Sequence, residues 1–170
     1  MATTYTLISS VTVGSGGASS IAFTSIPATY TDLVILTSLR TNTSGDSWDG
    51  IRMTFNNATA NRSNQRVYGS GSGVGRGTGT SMFGSVAGTA LNTSNVFGNG
   101  WTYISRYASS YNKASFSDGV NENNNTTALA YIGANLWADS AAISSIQLDS
   151  ENSGNFIQYS TAYLYGISNA

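Results

Sequence analysis

The chain has no cysteine, no histidine, one proline and a single lysine, Lys113. Without cysteine there is no disulfide framework. Without cysteine and histidine there is no zinc-finger site, iron–sulfur cluster, His-ligated haem or His-based catalytic triad. Charge is also scarce. Only 9% of the 170 residues are charged, and seven bases against eight acids leave a net charge of −1. No basic footprint for nucleic acid is present. The longest purely aliphatic run, Leu33 to Leu36, is far too short to cross a bilayer. The N-terminal stretch MATTYTLISSVTVGS has no basic region before Arg40 and alternates too strictly for a secretory signal. These absences predict a protein with no cofactor, no metal, no nucleic-acid partner and no membrane partner.

Gly, Ser, Thr and Asn make up about half the chain, and 11% of residues are aromatic. Disorder normally combines low hydrophobicity with many charges, which is not the case here. The length suits one domain, residues 1–170. Sequons at Asn42, Asn57, Asn61, Asn92 and Asn124 follow from composition and are not read as glycosylation sites.

Period-2 alternation runs along the whole chain. Between Thr4 and Val13, one face carries Tyr5, Leu7, Val11 and Val13 and the other Thr4, Thr6, Ser10 and Thr12. Ile21 and Phe23 continue it, and Asp32 to Arg40 is apolar on both faces at its start, the mark of a buried strand. Further strands are predicted at Ile51–Phe55, Ser81–Ala87, Trp101–Tyr107, Lys113–Ser117, Thr127–Trp137, Ala142–Leu148 and Phe156–Ile167. Tyr103, Tyr107 and Tyr111 have helical spacing, but Thr102 and Ile104 favour a strand. Nine or ten short strands without an amphipathic helix predict an all-β fold, a jelly-roll-like antiparallel β-sandwich.

Glycine occupies every odd position from Gly69 to Gly79. A phosphate cradle fails on spacing, because Arg76 and Thr78 stand where G-x-G-x-x-G needs glycine. The arm reads as a flexible surface loop, or as an edge arm carrying Arg76 that orders against another molecule. Asp149 to Gly154 partly resembles a calcium loop, but Ser153 and Ser160 stand where ligands belong, so a hairpin turn is expected. Asp46 and Asp49 flank Trp48, the spacing of a glycosidase pair beside a sugar-binding aromatic, and equally that of an ordinary connection. No G-x-S-x-G elbow is present. Trp101 and Trp137 lie in strand patterns and are expected in the core. Trp48, in a polar loop, is the candidate for contact with glycan or protein. Tyr159 and Tyr163, on the wet faces of strands, are candidates for a subunit interface.

Two segments, IPATYTDLV from Ile26 to Val34 and ISSIQLDSENSGNFIQYSTAYLYGI from Ile143 to Ile167, resemble a family of tailed-phage virion proteins, especially from aquatic phages. ISRYASSYNKASFSDG in the middle is similar to a further family stretch leading to a Lys-bearing strand. The resemblance implies a jelly-roll or lectin-like sandwich found at tail-fibre tips and on capsid surfaces. Its motifs are structural: a buried strand entrance, and a closing strand whose Leu164 and Ile167 fill the core. Entry into the first strand by about Thr4 leaves no room for a fibre shaft before it, which favours a decoration (cement) protein. The expected function is therefore a non-enzymatic virion protein on the capsid surface, assembled in the host bacterial cytoplasm, where absent cysteine suits a reducing environment. Its expected partners are the major capsid protein and further copies of itself, with a homotrimer implied by the resemblance. The alternative is a tail-fibre module that recognises a host glycan.

Overall fold

The computed structural model describes residues 4–71 and 73–168; Ser72, within the glycine-rich arm, lies outside them. Twelve strands run in chain order with no helix among the described residues: β1 (Thr4–Thr12), β2 (Ser20–Phe23), β3 (Asp32–Leu39), β4 (Asp49–Phe55), β5 (Arg62–Ser70), β6 (Val74–Gly79), β7 (Met82–Ala87), β8 (Gly98–Ile104), β9 (Lys113–Glu122), β10 (Ala128–Trp137), β11 (Ile146–Ser150) and β12 (Thr161–Ser168). They form an eight-stranded sheet, β1-β12-β3-β8-β9-β10-β5-β6, and a four-stranded sheet, β2-β11-β4-β7. All the named strand pairs are antiparallel.

The jelly-roll character lies in the connectivity. If β1, β12 and the β9–β10 hairpin are set aside, eight strands remain: β2 to β8 and β11. Counted along the chain, the small sheet then reads first-eighth-third-sixth and the large one second-seventh-fourth-fifth. That is the double Greek key of a jelly roll. The hairpin β9–β10 widens the large sheet in its middle, and β1 with β12 extends it beyond β3.

All ten strands expected from alternation are present, and the two additional ones are β5 and β6. Those two escape the pattern because their inward positions are not apolar. On β5, Asn64 bonds Asn135 (2.9 Å), the Arg66 guanidinium lies 4.3 Å from the centre of the Phe83 ring, and Tyr68 packs 5.6 Å from Trp48. On β6, a Cβ at Gly75 would stand 2.4 Å from the Tyr68 ring, and one at Gly77 2.6 Å from Arg66 Nε. The alternating glycines therefore clear the path of two long side chains from β5. The arm, expected as a loop or as an edge arm that orders against another molecule, thus supplies an edge strand paired within the single chain, with Val67 opposite Arg76.

The core lies between the sheets. Ile21, Phe23, Ile51, Met53, Phe55, Ile146 and Leu148 of the small sheet pack with Leu33, Ile35, Leu39, Ile104 and Leu164 of the large one. Trp137 joins this core, as its strand pattern predicts, and Ile167 is buried. A smaller cluster of Phe83, Val86, Leu129 and Tyr131 sits where β7 closes onto β8, β9 and β10. Backbone approach there depends on glycine: a Cβ at Gly100 would lie 2.7 Å from Ser85 Cβ, and one at Gly119 2.7 Å from Val86 Cγ2. Sheets ordinarily stack about 10 Å apart, and here the missing side chains bring the edge of one closer.

One expected face is corrected. Tyr5 and Leu7 do not share a face with Val11 and Val13, because the pairing of β1 with β12 shifts between Leu7 and Ser9. The extra residue, Ile8, reverses the side-chain alternation. Val11 turns to the core while Tyr5 and Leu7 turn outward.

Candidate functional site

With the inner face of the large sheet covered, its outer face is left open. The strand registers align the outward residues into rows that cross the sheet. One row reads Ser10, Tyr163, Leu36, Trp101, Asp118, Ile132, Val67 and Arg76 from β1 to β6. Beside it, Phe116, Ala134, Gln65 and Thr78 align across β9, β10, β5 and β6. On the other side, Val120, Ala130, Gly69 and Val74 do the same. Leu36 is 40% exposed, Ile132 and Val67 51% each, and Val74 88%. Apolar surface continued over so many strands exceeds the scattered exposure of an ordinary monomer.

Two hollows flank Ile132 on this face. The first, about 440 Å³, is lined by Trp101, Asp118, Val120, Ala130 and Ile132 among others. The second, about 450 Å³, includes Gln65, Val67, Arg76, Thr78, Phe116 and Ala134. The small residues Ala130 and Ala134 leave these depressions between larger neighbours. Trp101 and Phe116 hold one another edge to face, with ring centres 5.8 Å apart. Asp118 is the single acid in these rows; its Oδ1 accepts a hydrogen bond from the Trp101 amide at 3.2 Å, and no cation stands within ion-pair distance among the described residues. The side chain of Arg76, exposed on β6, makes no hydrogen bond or ion pair among the described residues.

At one end of the face the charge is internally satisfied. Asp32 is buried and accepts from the Tyr103 hydroxyl and from the Arg106 amide (2.7 Å). The hydrogen bond to Asp32, with burial and the carboxylate charge adding to it, pushes the Tyr103 pKa up to about 12. Burial likewise raises Tyr107 and Tyr131 and lowers Lys113. The Tyr107 hydroxyl donates to the Pro27 carbonyl and accepts from the Tyr30 amide (3.3 Å), so the IPATYTDLV entrance is locked by a tyrosine beyond the end of β8.

The four residues singled out from sequence do not form one site. Trp48 is half-buried against the Phe83–Tyr131 cluster and leans on Tyr68, so its ring is already used. Arg76 and Tyr163 both point from the open face, but β6 and β12 are six strands apart, about 29 Å. Tyr159 is 67% exposed, but lies in the β11–β12 connection with a left-handed backbone (φ 73°), not on a strand. It sits at the rim of a polar hollow shared with Asn42 and Asn155. Trp101, expected in the core, is half-buried on the open face. Sequence missed it because β8 is sided by its register with β3 and β9, not by its own composition.

Of the acidic pair, Asp49 is structural. Asp49 is fully buried, and its carboxylate accepts from Thr41 (2.9 Å), Thr43 (2.8 Å), Ser150 (2.7 Å) and Asn152 (3.2 Å). That ring of donors ties the β3–β4 connection to the Asp149–Gly154 turn. Asp46 is exposed on a neighbouring polar hollow. Just before the turn, on β11, Asp149 pairs with Arg52 of β4 at 2.9 Å. Among the described residues, no group of three His, Cys, Asp or Glu side chains is placed to hold a metal ion.

No family model matches the chain, and no curated protein matches it. Among solved structures, it is similar at 9% identity to a fructofuranosidase from Schwanniomyces occidentalis complexed with fructosylnystose, with a TM-score of 0.25. That alignment covers 99% of this chain but only 33% of the other. A likeness so slight carries no argument about fold or activity.

Proposed function

We propose that the chain is a non-enzymatic virion structural protein of a tailed phage, a decoration protein seated on the major capsid protein at the capsid surface. The observation that supports this reading is the open face of the eight-stranded sheet. It offers broad, nearly uncharged, aromatic and aliphatic contact rather than an enclosed pocket with convergent polar groups. The structural use of Asp49 supports a non-enzymatic role as well, since its lone pairs are occupied by four donors. On this reading the chain also associates with further copies of itself.

Electron microscopy of a virion that carries this protein tests the location. Density repeating over the head lattice is expected, and density at the tail alone overturns the decoration role. Purified capsids stripped of the protein should rebind it with little dependence on salt, because few charges are exposed for screening. The second reading, a glycan-recognition module, draws on one observation: Trp101 is half-exposed beside Asp118 and Asn99 in the first hollow. Saturable binding on a glycan array, lost in Trp101→Ala but kept in Trp48→Ala, would establish it.

A further inference from the structure

The outer rows of β9, β10, β5 and β6 are complementary to themselves. Take an axis lying along the strands, midway between β10 and β5. A half-turn about it sets a second copy face to face and exchanges β9 with β6 and β10 with β5. The row Asp118, Ile132, Val67, Arg76 then meets itself reversed: acid against base and aliphatic against aliphatic. The row Val120, Ala130, Gly69, Val74 also meets itself reversed, valine against valine at its ends. In the third row, Gln65 of the second copy stands over Ala134, at the floor of the second hollow, and Thr78 stands over Phe116. The first hollow, walled by Trp101 and Asp118, has the volume to take the long side chain of the second copy's Arg76.

We propose that this half of the sheet is a two-fold interface between two copies of the chain, closed by two reciprocal Asp118–Arg76 ion pairs around an Ile132–Val67 centre. The placement of charge favours this pairing whatever the protein's role in a virion: these three rows carry one acid and one base, neither ion-paired within the chain among the described residues. Both lie in the same row, three strands and about 14 Å apart, equidistant from the axis. A lone carboxylate in an apolar face opposes most partners, because covering it without a cation is costly. A second copy supplies the cation at the required place, as an isologous contact demands. Keeping the axis parallel to the strands also gives the aligned packing by which β-sheets stack face to face. The β12-β3-β8 part of the face, with Tyr163, Leu36 and Tyr103, stays free for another partner.

The chain's lack of cysteine makes a covalent test clean. In a Val74→Cys/Val120→Cys variant, the two thiols of one chain lie three strands apart, beyond the reach of a disulfide. A short bismaleimide that spans the roughly 10 Å between stacked sheets but not the roughly 14 Å from β9 to β6 should convert it to a covalent dimer and no larger ladder, while each single-cysteine variant stays uncrosslinked. Analytical ultracentrifugation of the unmodified chain should give a dimer. Asp118→Arg and Arg76→Asp should each raise the dissociation constant by at least about tenfold through like-charge contact, and the double variant should restore it. Far-ultraviolet circular dichroism of each variant separates lost pairing from lost folding, and the cysteine pair keeps the test decisive if a charge variant misfolds. A monomer at all concentrations, a trimer, a crosslinked ladder, or a double swap no better than the single ones overturns the proposal.

Discussion

The two faces of the eight-stranded sheet are built from the same strands and much the same residue types, yet they differ in completeness. On β3, Leu33, Ile35 and Leu39 point inward and are sealed by the small sheet, while Leu36 alternates with them, points outward and is 40% exposed. On β10, Leu129 and Tyr131 are buried and Ile132 and Leu136 are not. Apolar content therefore does not distinguish interior from exterior here. What distinguishes them is the presence of a second layer at the right distance, and on the inner side that distance is set by glycine and by the small β7. The outer side lacks such a layer within one chain.

That comparison breaks if truncation costs the same on both faces. Leu164→Ala, in the sealed face, should lower unfolding stability by about 2–5 kcal/mol in chemical denaturation. Leu36→Ala, on the opposite face beside it, should change the stability of the monomer by no more than about 0.5 kcal/mol. Similar losses at the two positions would mean that the outer face is already covered in the molecule being measured.

The next test concerns the distance between layers. Gly100→Ala should cost about 1–3 kcal/mol, because the new Cβ meets Ser85 Cβ and the Asp118 carbonyl and forces β7 away. Thermal unfolding followed by circular dichroism measures this. Gly73→Ala, with open space around its Cα, should leave the midpoint within about 0.5 kcal/mol of the parent. The pair sharpens the distinction between glycine that sets sheet spacing and glycine that does not.

A pH effect follows at the boundary between the faces. The pKa of Tyr103 is raised in the fold to about 12 from an ordinary value of 10.0. A folded-state pKa above the unfolded one means that the folded state holds its proton more tightly. The associated stability is fully present below the unfolded value and is lost as pH rises from there through about 12. Tyr107 and Tyr131 shift in the same direction through burial and add to this alkaline loss. Absorbance titration near 295 nm should show a late-ionising tyrosine that moves earlier in Asp32→Asn. The smallest expected effect is Ile132→Lys: stability within about 0.5 kcal/mol, but weaker self-association in sedimentation.

How far the sequence reached depends on the kind of order each segment carries. β3, β4, β10 and β12 were legible because burial on one or both faces leaves a period-2 or continuous apolar trace. The β5–β6 hairpin was not, since its inward positions are Asn64, Arg66 and Tyr68 over glycines, whose fit only neighbouring strands define. Tyr163 lies on the outward face that its alternation suggests, whereas Arg76, readable as part of a loop or of an edge arm, stands on an edge strand paired within the chain. Trp48 and Trp101 exchanged the roles their local patterns suggested: the loop tryptophan packs inward on Tyr68, and the strand tryptophan lies outward. A tryptophan in alternation has two possible sides, and alternation alone does not say which is the core.

Half the chain as Gly, Ser, Thr and Asn, with no cysteine or histidine, by itself determined an all-β scaffold without thiol or imidazole chemistry. Short-range alternation and turn residues act within a few positions, so they are readable in order along the chain. Tertiary structure alone decided which face of each strand is covered, because that depends on registers between strands up to 120 or more residues apart, such as β3 with β12. It also decided that Asp118 and Arg76, forty-odd positions apart in sequence, share one row of an open face. Side-chain sidedness is a property of the pairing, and the pairing exists only once the chain has closed.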